Sequence, residues 1–284
     1  MKNRTMRIGN VSINDESDCY VIAELGHNHQ GDLELAKKMI SAAASAGVDA
    51  VKLQKRSNAE LFTKAYYDKP YQSENSYGAT YGEHREYLEF GRSEYVELRD
   101  FSKSLGVHFF ATAFDFASAD FLAELDVPAF KLASGDLTNI PLVKHVASFG
   151  KPIILSTGGG SIEDVDRVVE CLSAFSVDFC VMQCTAGYPP TWEELNLKVI
   201  ETFRDRYKDI VVGLSSHDNG ISMALVGFVL GARVVEKHFT LNRTFKGTDH
   251  AFSLEPPGMQ KLVRDLRRAR VAFGDGTKIQ FPSE

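Results

Sequence analysis

Ile210–Ser215 has the sequence IVVGLS, and a second run of the same kind, RVVEK, follows at Arg233–Lys237 after a helical pattern at Asn219–Leu230. Both runs are short, apolar and rich in β-branched residues, with no alternation of polar and apolar positions. This pattern is typical of strands that are buried on both faces of a parallel sheet. A histidine follows each run, at His217 and at His238.

The same strand-and-helix unit recurs along the whole chain. Six further apolar runs precede these two, at Tyr20–Glu24, Ala50–Gln54, His108–Thr112, Ala129–Ala133, Pro152–Ser156 and Asp178–Gln183. Helical patterns fill the gaps at Leu33–Ala46, Ser93–Leu105, Leu195–Tyr207 and Pro257–Phe273, and another helix is predicted to open at Ser161. Eight strands alternating with helices over 284 residues predict an α/β protein, a single-domain (β/α)₈ barrel. No GxGxxG fingerprint follows the first run, which disfavours an open dinucleotide-binding sheet.

Two segments fall outside this alternation. Residues 1–19 precede the first strand, and we expect them to form a small hairpin. Lys55–Arg92 is too long for an ordinary loop and is rich in tyrosine and charge, which favours a mobile lid over the barrel mouth. The alternative is a surface excursion without a role.

Composition restricts the class of function. The chain is 44% hydrophobic and 25% charged with a net charge of -6, which disfavours nucleic-acid binding. No apolar run is long enough to span a membrane, and no secretory signal is recognisable at the start. The four cysteines show no CxxC spacing, so we expect reduced thiols in a cytoplasmic protein.

Polar residues gather where the predicted strands end. In a barrel these ends face one mouth, where active sites are built. Charged groups beside buried strands are costly unless they are paired or used. The residues concerned are Glu24, Lys52, Gln54, Thr112, Lys131, Ser156, Gln183, Ser215, His217, Glu236 and His238.

Lys52 and Lys131 suit a substrate that carries carboxylate and phosphate groups. Ser134 and the glycine-rich turn at 156–160 offer hydroxyl and backbone N–H donors at helix starts, which favour anions. The alternative for each lysine is an ordinary buried ion pair.

His217 and His238 end neighbouring strands and suit Mn²⁺, Fe²⁺, Co²⁺ or Zn²⁺, with Glu236 beside the second histidine. The alternative for a single histidine of this kind is a structural role. His27 and His29 follow the first strand and could contact substrate.

Motifs in nearly the whole chain resemble the sialic acid synthase family. They are Ile22–Asp32 (IAELGHNHQGD), Val51–Gln54 (VKLQ), Lys131–Asp136 (KLASGD), Leu155–Gly158 (LSTG), Cys184–Thr185 with Tyr188–Pro189, Gly213–His217 (GLSSH), Glu236–Leu241 (EKHFTL), Thr248–His250 (TDH), Ser253–Pro256 (SLEP) and Gly274–Gly276 (GDG). The resemblance implies a transferase that condenses phosphoenolpyruvate with N-acetylmannosamine or a related hexose aldehyde. The product would be a nine-carbon 2-keto-3-deoxy acid.

The resemblance also implies roles for single residues. Phosphoenolpyruvate would be held by Lys52, Lys131, Ser134, Ser156 and Ser215. A divalent metal, in the first place Mn²⁺ with Mg²⁺ or Co²⁺ as alternatives, would bind His217 and His238. The sugar and the reacting carbons would face Glu24, Gln54, Thr112, Tyr188, Glu236 and Asp249.

The sequence departs from the family pattern in ways that point to an altered sugar side. Gln183 stands where histidine is common, Asp136 replaces a glutamate, and Ser216 replaces the usual aspartate. We nevertheless expect Gln183 and Asp136 to bind substrate. We expect no C-terminal antifreeze-like domain after Pro282, although such a domain usually completes the sugar site from a partner subunit. A homodimer is the default expectation for a soluble enzyme.

Two other functions stay open. One is a synthase for a phosphorylated or non-acetylated sugar, for which His84, Arg85 or Arg92 would supply a basic cluster. The other is a non-catalytic relative that binds sugar acids.

Overall fold

A computed structural model describes residues 4–284. A hairpin of β1 (Thr5–Ile8) and β2 (Val11–Asn14) precedes eight parallel strands that close into a barrel. The barrel strands, in order around the barrel, are β3 (Tyr20–Gly26), β4 (Ala50–Lys55), β5 (His108–Ala113), β6 (Phe130–Leu132), β7 (Ile153–Ser156), β8 (Phe179–Cys184), β9 (Val211–Ser216) and β10 (Val234–His238). The predicted (β/α)₈ fold is confirmed, and each strand ends within two residues of its predicted bounds.

Eleven helices are formed in the described part of the chain. They are α1 (Leu33–Ala46), α2 (Asn58–Leu61), α3 (Lys64–Tyr67), α4 (Tyr81–Leu88), α5 (Arg92–Ser104), α6 (Phe116–Glu124), α7 (Ile140–Ser148), α8 (Ile162–Ser173), α9 (Val199–Arg206), α10 (Ser222–Val229) and α11 (Pro256–Ala272). Among residues 4–284, none of them combines the length and the apolar character needed to cross a lipid bilayer.

Helix ends follow local capping chemistry. The Asp32 side chain accepts the backbone N–H of Leu35 at the start of α1, and Gly47 ends that helix with a left-handed φ of 87°. Helix α9 begins at Val199, later than predicted, because Asn196 adopts a left-handed conformation (φ 38°) and breaks the expected helix. The residue patterns therefore predicted the presence of the helices more accurately than the residues at which the helices begin.

The helices α6 and α7 were not predicted from the sequence. Both helices have only nine residues, so the apolar periodicity is short. Their caps were nevertheless visible in the sequence, because Asp115 caps α6 and Asn139 caps α7, which also has a proline in its first turn.

The hairpin covers the amino-terminal end of the barrel. Met6, Ile8 and Ile13 are buried, and the backbone N–H of Arg7 donates a 3.0 Å hydrogen bond to Asp178, just before β8. The hairpin therefore leaves the opposite end of the barrel, where the strands terminate, uncovered.

The long segment after β4 forms α2, α3 and α4 and extends across the mouth. The Tyr77 hydroxyl donates a 2.8 Å hydrogen bond to the carbonyl of Lys246. Asn75 accepts a 2.9 Å hydrogen bond from the backbone N–H of Gly247. These contacts join the segment to the loop that follows β10.

The capping box at the start of α8 provides a test of whether side-chain caps stabilise these helices. Ser161 and Asp164 each accept a hydrogen bond from the backbone of the other. Ser161→Ala should lower the free energy of unfolding by about 1 kcal/mol, measured by urea denaturation followed by circular dichroism. Ser173→Ala, at the exposed end of the same helix, is the control; equal losses in both variants would contradict the role of the cap.

Candidate active site

A cavity of about 480 Å³ opens at the carboxyl ends of the barrel strands. Every strand contributes to its wall, either directly or through the residue that follows it. Of the residues predicted for the site, the wall contains Glu24, Lys52, Gln54, Thr112, Lys131, Ser134, Ser156, Tyr188, Ser215, His217, Glu236, His238 and Asp249. The barrel therefore brings together residues that are far apart in the sequence.

Asp136 and Gln183 are not part of this wall, although both were predicted to bind substrate. Gln183 lies between two inward-facing positions of β8, and its amide donates a 3.1 Å hydrogen bond to the carbonyl of Leu195. Asp136 accepts a 3.1 Å hydrogen bond from Asn139 in the cap of α7. Alternation along a strand directs adjacent side chains to opposite faces, which strand-end position alone does not resolve.

Lys52 is the centre of a buried charge network. Its Nζ lies 2.6 Å from Glu24 Oε2 and 3.6 Å from Glu236 Oε1, and all three side chains are almost completely buried. It also donates a 2.7 Å hydrogen bond to Thr112 Oγ1. Gln54 donates a 2.8 Å hydrogen bond to the other oxygen of Glu24.

The two carboxyl groups have different proton affinities. Burial, opposed by Lys52 and assisted by the charge of Glu236, raises the pKa of Glu24 to about 7. Burial also disfavours the charge of Glu236, but the ammonium groups of Lys52 and Lys131 outweigh it and lower the pKa of Glu236. At neutral pH, Glu236 is therefore a fixed anion, whereas Glu24 can exchange a proton.

Lys131 forms the other basic position of the cavity. Its Nζ donates hydrogen bonds of 2.6 Å to Ser156 Oγ and 2.9 Å to the carbonyl of Leu132. No carboxylate contacts it among residues 4–284, and burial lowers its pKa. A buried ammonium that hydrogen-bonds only to neutral groups is suited to an anionic ligand.

The glycine-rich turn contributes less to an anion site than its sequence suggests. The backbone N–H of Gly158 donates to Ser134 Oγ at 2.9 Å, and that of Gly160 donates to the carbonyl of Thr157. Both donors are thus used inside the protein. A Cβ at Gly158 would lie 2.9 Å from Ser134 Oγ, so this glycine is needed for close approach of the two loops.

His217 and His238 lie side by side, with ring centroids 5.3 Å apart. His217 Nδ1 is 3.0 Å from the carbonyl of Thr185, so Nδ1 is the donor and Nε2 keeps a free lone pair. Burial and the neighbouring His238 lower the pKa of His217 to about 3, and burial lowers the pKa of His238. Both rings are neutral at pH 7, as metal ligands must be. Tyr188 covers His217 at a centroid distance of 4.0 Å.

The residues around this pair fit a divalent cation with an incomplete protein shell. His238 Nδ1 and Glu236 Oε2 are buried and have no hydrogen-bond partner in the part of the chain that the structure describes. No cluster of three or more histidine, cysteine or acidic ligands is formed within residues 4–284. Two imidazoles would therefore hold a cation whose other positions are left to water or substrate oxygens.

Arg56 and Arg85 add a basic group at the mouth. Their guanidinium groups lie 3.4 Å and 3.3 Å from the two ring nitrogens of His27. Neither guanidinium forms an ion pair with a carboxylate in the described part of the chain, and burial together with Arg85 lowers the pKa of Arg56 to about 10.

Sequence analysis missed Arg56, which stacks on Phe114 with its Cζ 3.7 Å from the ring centroid. Its position just after β4 was the available signal. Of the basic residues proposed for a phosphate, His84 lines the cavity, whereas Arg92 pairs with Glu124 outside it. His29, proposed for substrate contact, is buried against Phe90 instead.

The chain is similar in sequence to known synthases. The protein-family model described as the NeuB family matches residues 39–278 of this chain. The chain is 40% identical over 266 residues to N-acetylneuraminate-9-phosphate synthase of Mus musculus, covering 94% of this chain and 74% of the mouse protein. It is 36% identical to N,N'-diacetyllegionaminic acid synthase of Legionella pneumophila, covering 94% and 76% of the two chains.

A solved structure is similar over almost its whole length. The N-acetylneuraminic acid (sialic acid) synthetase of Leptospira borgpetersenii, crystallised in complex with citrate, matches with a TM-score of 0.88 at 32% identity. The match covers 99% of this chain and 94% of that one. The resemblance of the motifs to sialic acid synthases is thus confirmed, and the chain belongs to the NeuB family.

Proposed function

We propose that this chain condenses phosphoenolpyruvate with the aldehyde of a hexose or N-acylated hexosamine, forming a 2-keto-3-deoxy acid and releasing phosphate. One observation carries the proposal. The buried ammonium groups of Lys52 and Lys131 and the neutral imidazoles of His217 and His238 face the same cavity. This set offers an anion site and an aldehyde site within reach of each other.

Phosphoenolpyruvate would bind on the lysine side. Lys131 contacts no carboxylate among the described residues and donates to Ser156, while the hydroxyl-bearing Ser134 and Ser215 line the same cavity. Two ammonium groups and several hydroxyls suit the carboxylate and the phosphate of one small molecule. They would also stabilise the charge of the departing phosphate.

The reaction forms a C–C bond at carbon three of phosphoenolpyruvate and replaces the phosphate at carbon two by the oxygen of water. The enol electrons of phosphoenolpyruvate form a C–C bond to the aldehyde carbon, and the aldehyde oxygen takes up a proton. A water oxygen adds to carbon two, and Glu24 accepts the proton that this water loses. The C–O bond to phosphate then breaks, the departing phosphate takes up the second proton of the added water, and the ketone forms. The proton accepted by Glu24 balances the proton taken up by the aldehyde oxygen. When bound at His217 and His238, a divalent cation would supply Lewis-acid polarisation of the aldehyde.

A phosphorylated acceptor is a second candidate, favoured by Arg56 and Arg85. Two guanidinium groups at the mouth of a cavity, neither paired with a carboxylate among residues 4–284, suit a phosphate group. The mouse relative is named as a 9-phosphate synthase, which agrees with this candidate. His84, also in the wall, adds a donor on the same side.

Removing either histidine tests the first proposal. His217→Ala and His238→Ala should each abolish acceptor-dependent phosphate release from phosphoenolpyruvate, measured with a panel of aldoses and Mn²⁺, while circular dichroism stays unchanged. His145→Ala is the control, because His145 pairs with Asp120 on the surface of the barrel. No phosphate release by the wild type with any acceptor would refute the proposed reaction.

The pH dependence tests the role of Glu24. Its carboxylate must be ionised to accept a proton, so kcat should fall as the pH drops through about 7. Bound phosphoenolpyruvate, an anion, would move this limb to higher pH, and a divalent cation bound at the two histidines would move it to lower pH. Wild type and variant are therefore compared at fixed concentrations of both. The other two carboxylates in the cavity wall, Glu236 and Asp249, do not account for such a limb, because the pKa of each is lowered.

Glu24→Gln should lower kcat by roughly 100-fold and remove that acid limb, measured at saturating substrates. Glu34→Gln on the exposed side of α1 is the control. An unchanged acid limb in Glu24→Gln would assign the proton transfer to another group.

Arg85→Gln distinguishes the two acceptors. If the phosphorylated sugar is the substrate, this change should raise its KM by roughly tenfold, since a charge-assisted hydrogen bond is lost. The KM of the free sugar should stay unchanged. Arg92→Gln, which alters a guanidinium outside the cavity, is the control. Turnover of the free sugar alone by the wild type would exclude the phosphorylated acceptor.

A further inference from the structure

Lys237 and Asp218 form a buried ion pair outside the cavity wall. Lys237 Nζ donates hydrogen bonds of 2.8 Å to Asp218 Oδ1 and 2.6 Å to the backbone carbonyl of the same residue. The two side chains are only 1% and 2% exposed. Neither residue lines the cavity, so neither contacts substrate directly.

The pair stands where the hydrogen-bond ladder between β9 and β10 ends. The last partners of that ladder are Ser216 and Lys237, so His217 lies one residue beyond it. His238 is still held by pairing with Glu24 of β3. The bond from Lys237 to Asp218 thus continues the connection of β9 and β10 on the far side of His217.

Fold stability alone does not account for two charges at this place. The cost of removing an ion pair from water often exceeds the attraction gained, and apolar side chains of similar volume are often as stable. Asp218 Oδ2 has no hydrogen-bond partner within residues 4–284, so the pair is not fully compensated. An apolar pair could not bind the carbonyl of the turn, whereas the ammonium of Lys237 holds this carbonyl and the carboxylate together. The Ser216 hydroxyl also donates to Asp218 Oδ1.

We infer that the Lys237–Asp218 pair is a positioning device that holds His217 beside His238 at a spacing suited to a divalent cation. The inference rests on the metal role in the proposed function. Both histidines flank the pair in sequence. The backbone of His238 is fixed by strand pairing, whereas the backbone of His217 lies in the turn, and the hydrogen bond from its ring to Thr185 orients the imidazole only when that backbone is in place. Loss of groups that orient metal ligands lowers metal affinity by about 10- to 100-fold.

Metal binding tests this inference without turnover. The metal-free wild type and Lys237→Met/Asp218→Asn, a neutral pair that leaves no buried charge unpaired, are titrated with Mn²⁺, and free Mn²⁺ is followed by electron paramagnetic resonance. The variant should bind Mn²⁺ about 10- to 100-fold more weakly. Its affinity for phosphoenolpyruvate, measured by calorimetry with chelator present, should stay unchanged, because Lys52 and Lys131 are untouched.

Two further variants complete the design. Ser216→Ala removes only the hydroxyl contact to Asp218 and should weaken Mn²⁺ binding by a smaller factor in the same direction. Arg204→Met breaks the ion pair with Asp15, which lies near the hairpin, and should leave Mn²⁺ affinity unchanged.

Three results would overturn the inference. They are wild-type Mn²⁺ affinity in the neutral pair, no Mn²⁺ binding by the wild type, and an equal loss of affinity for phosphoenolpyruvate, which would indicate a purely structural role. A wild type that binds Mn²⁺ but releases no phosphate with any acceptor would count against the proposed function and leave the positioning role standing.

Discussion

The ammonium of Lys52, held between carboxylates of β3 and β10, ties the chemistry of this protein to the closure of its barrel. β3 and β10 are the first and the last barrel strands along the chain, and they become neighbours only when the barrel closes. Glu24, Lys52 and Glu236 would each be a costly buried charge if one of the others were absent. Folding and assembly of the site are therefore the same event, and the charge network is satisfied only in the closed barrel.

Closure also divides the cavity into two chemically different sides. Lys131 and Ser156 come from β6 and β7, whereas His217 and His238 follow or end β9 and β10, several strands further around the barrel. An anion held by the lysine side and an aldehyde held by the histidine side would meet over Glu24 and Glu236. Holding two reactants in this way turns a bimolecular condensation into a reaction within one complex.

The parts of this arrangement that depend on burial could be predicted from the sequence. Strands buried on both faces appear as apolar runs, and barrel geometry then places the residues at their ends around one mouth. The features that depend on the local geometry of single side chains and turns could not be predicted from the sequence. Gln183 is turned to the outer face by strand alternation, Asp136 serves a helix cap, and the N–H groups of Gly158 and Gly160 are used internally. Arg56 was missed because its place in the wall depends on stacking against Phe114.

The same distinction indicates where specificity for the acceptor resides. The strand ends supply the lysines, the carboxylates and one histidine, and their positions are fixed by the hydrogen-bond ladders of the barrel. Arg85, Tyr77 and Asp249 come from the segments after β4 and β10, which are joined to each other through Tyr77 and Lys246 rather than through ladders. Loops can change without disturbing the closed barrel. Under the proposed function, a change of sugar would therefore require new side chains in these two segments, while the groups proposed to hold phosphoenolpyruvate stay in place.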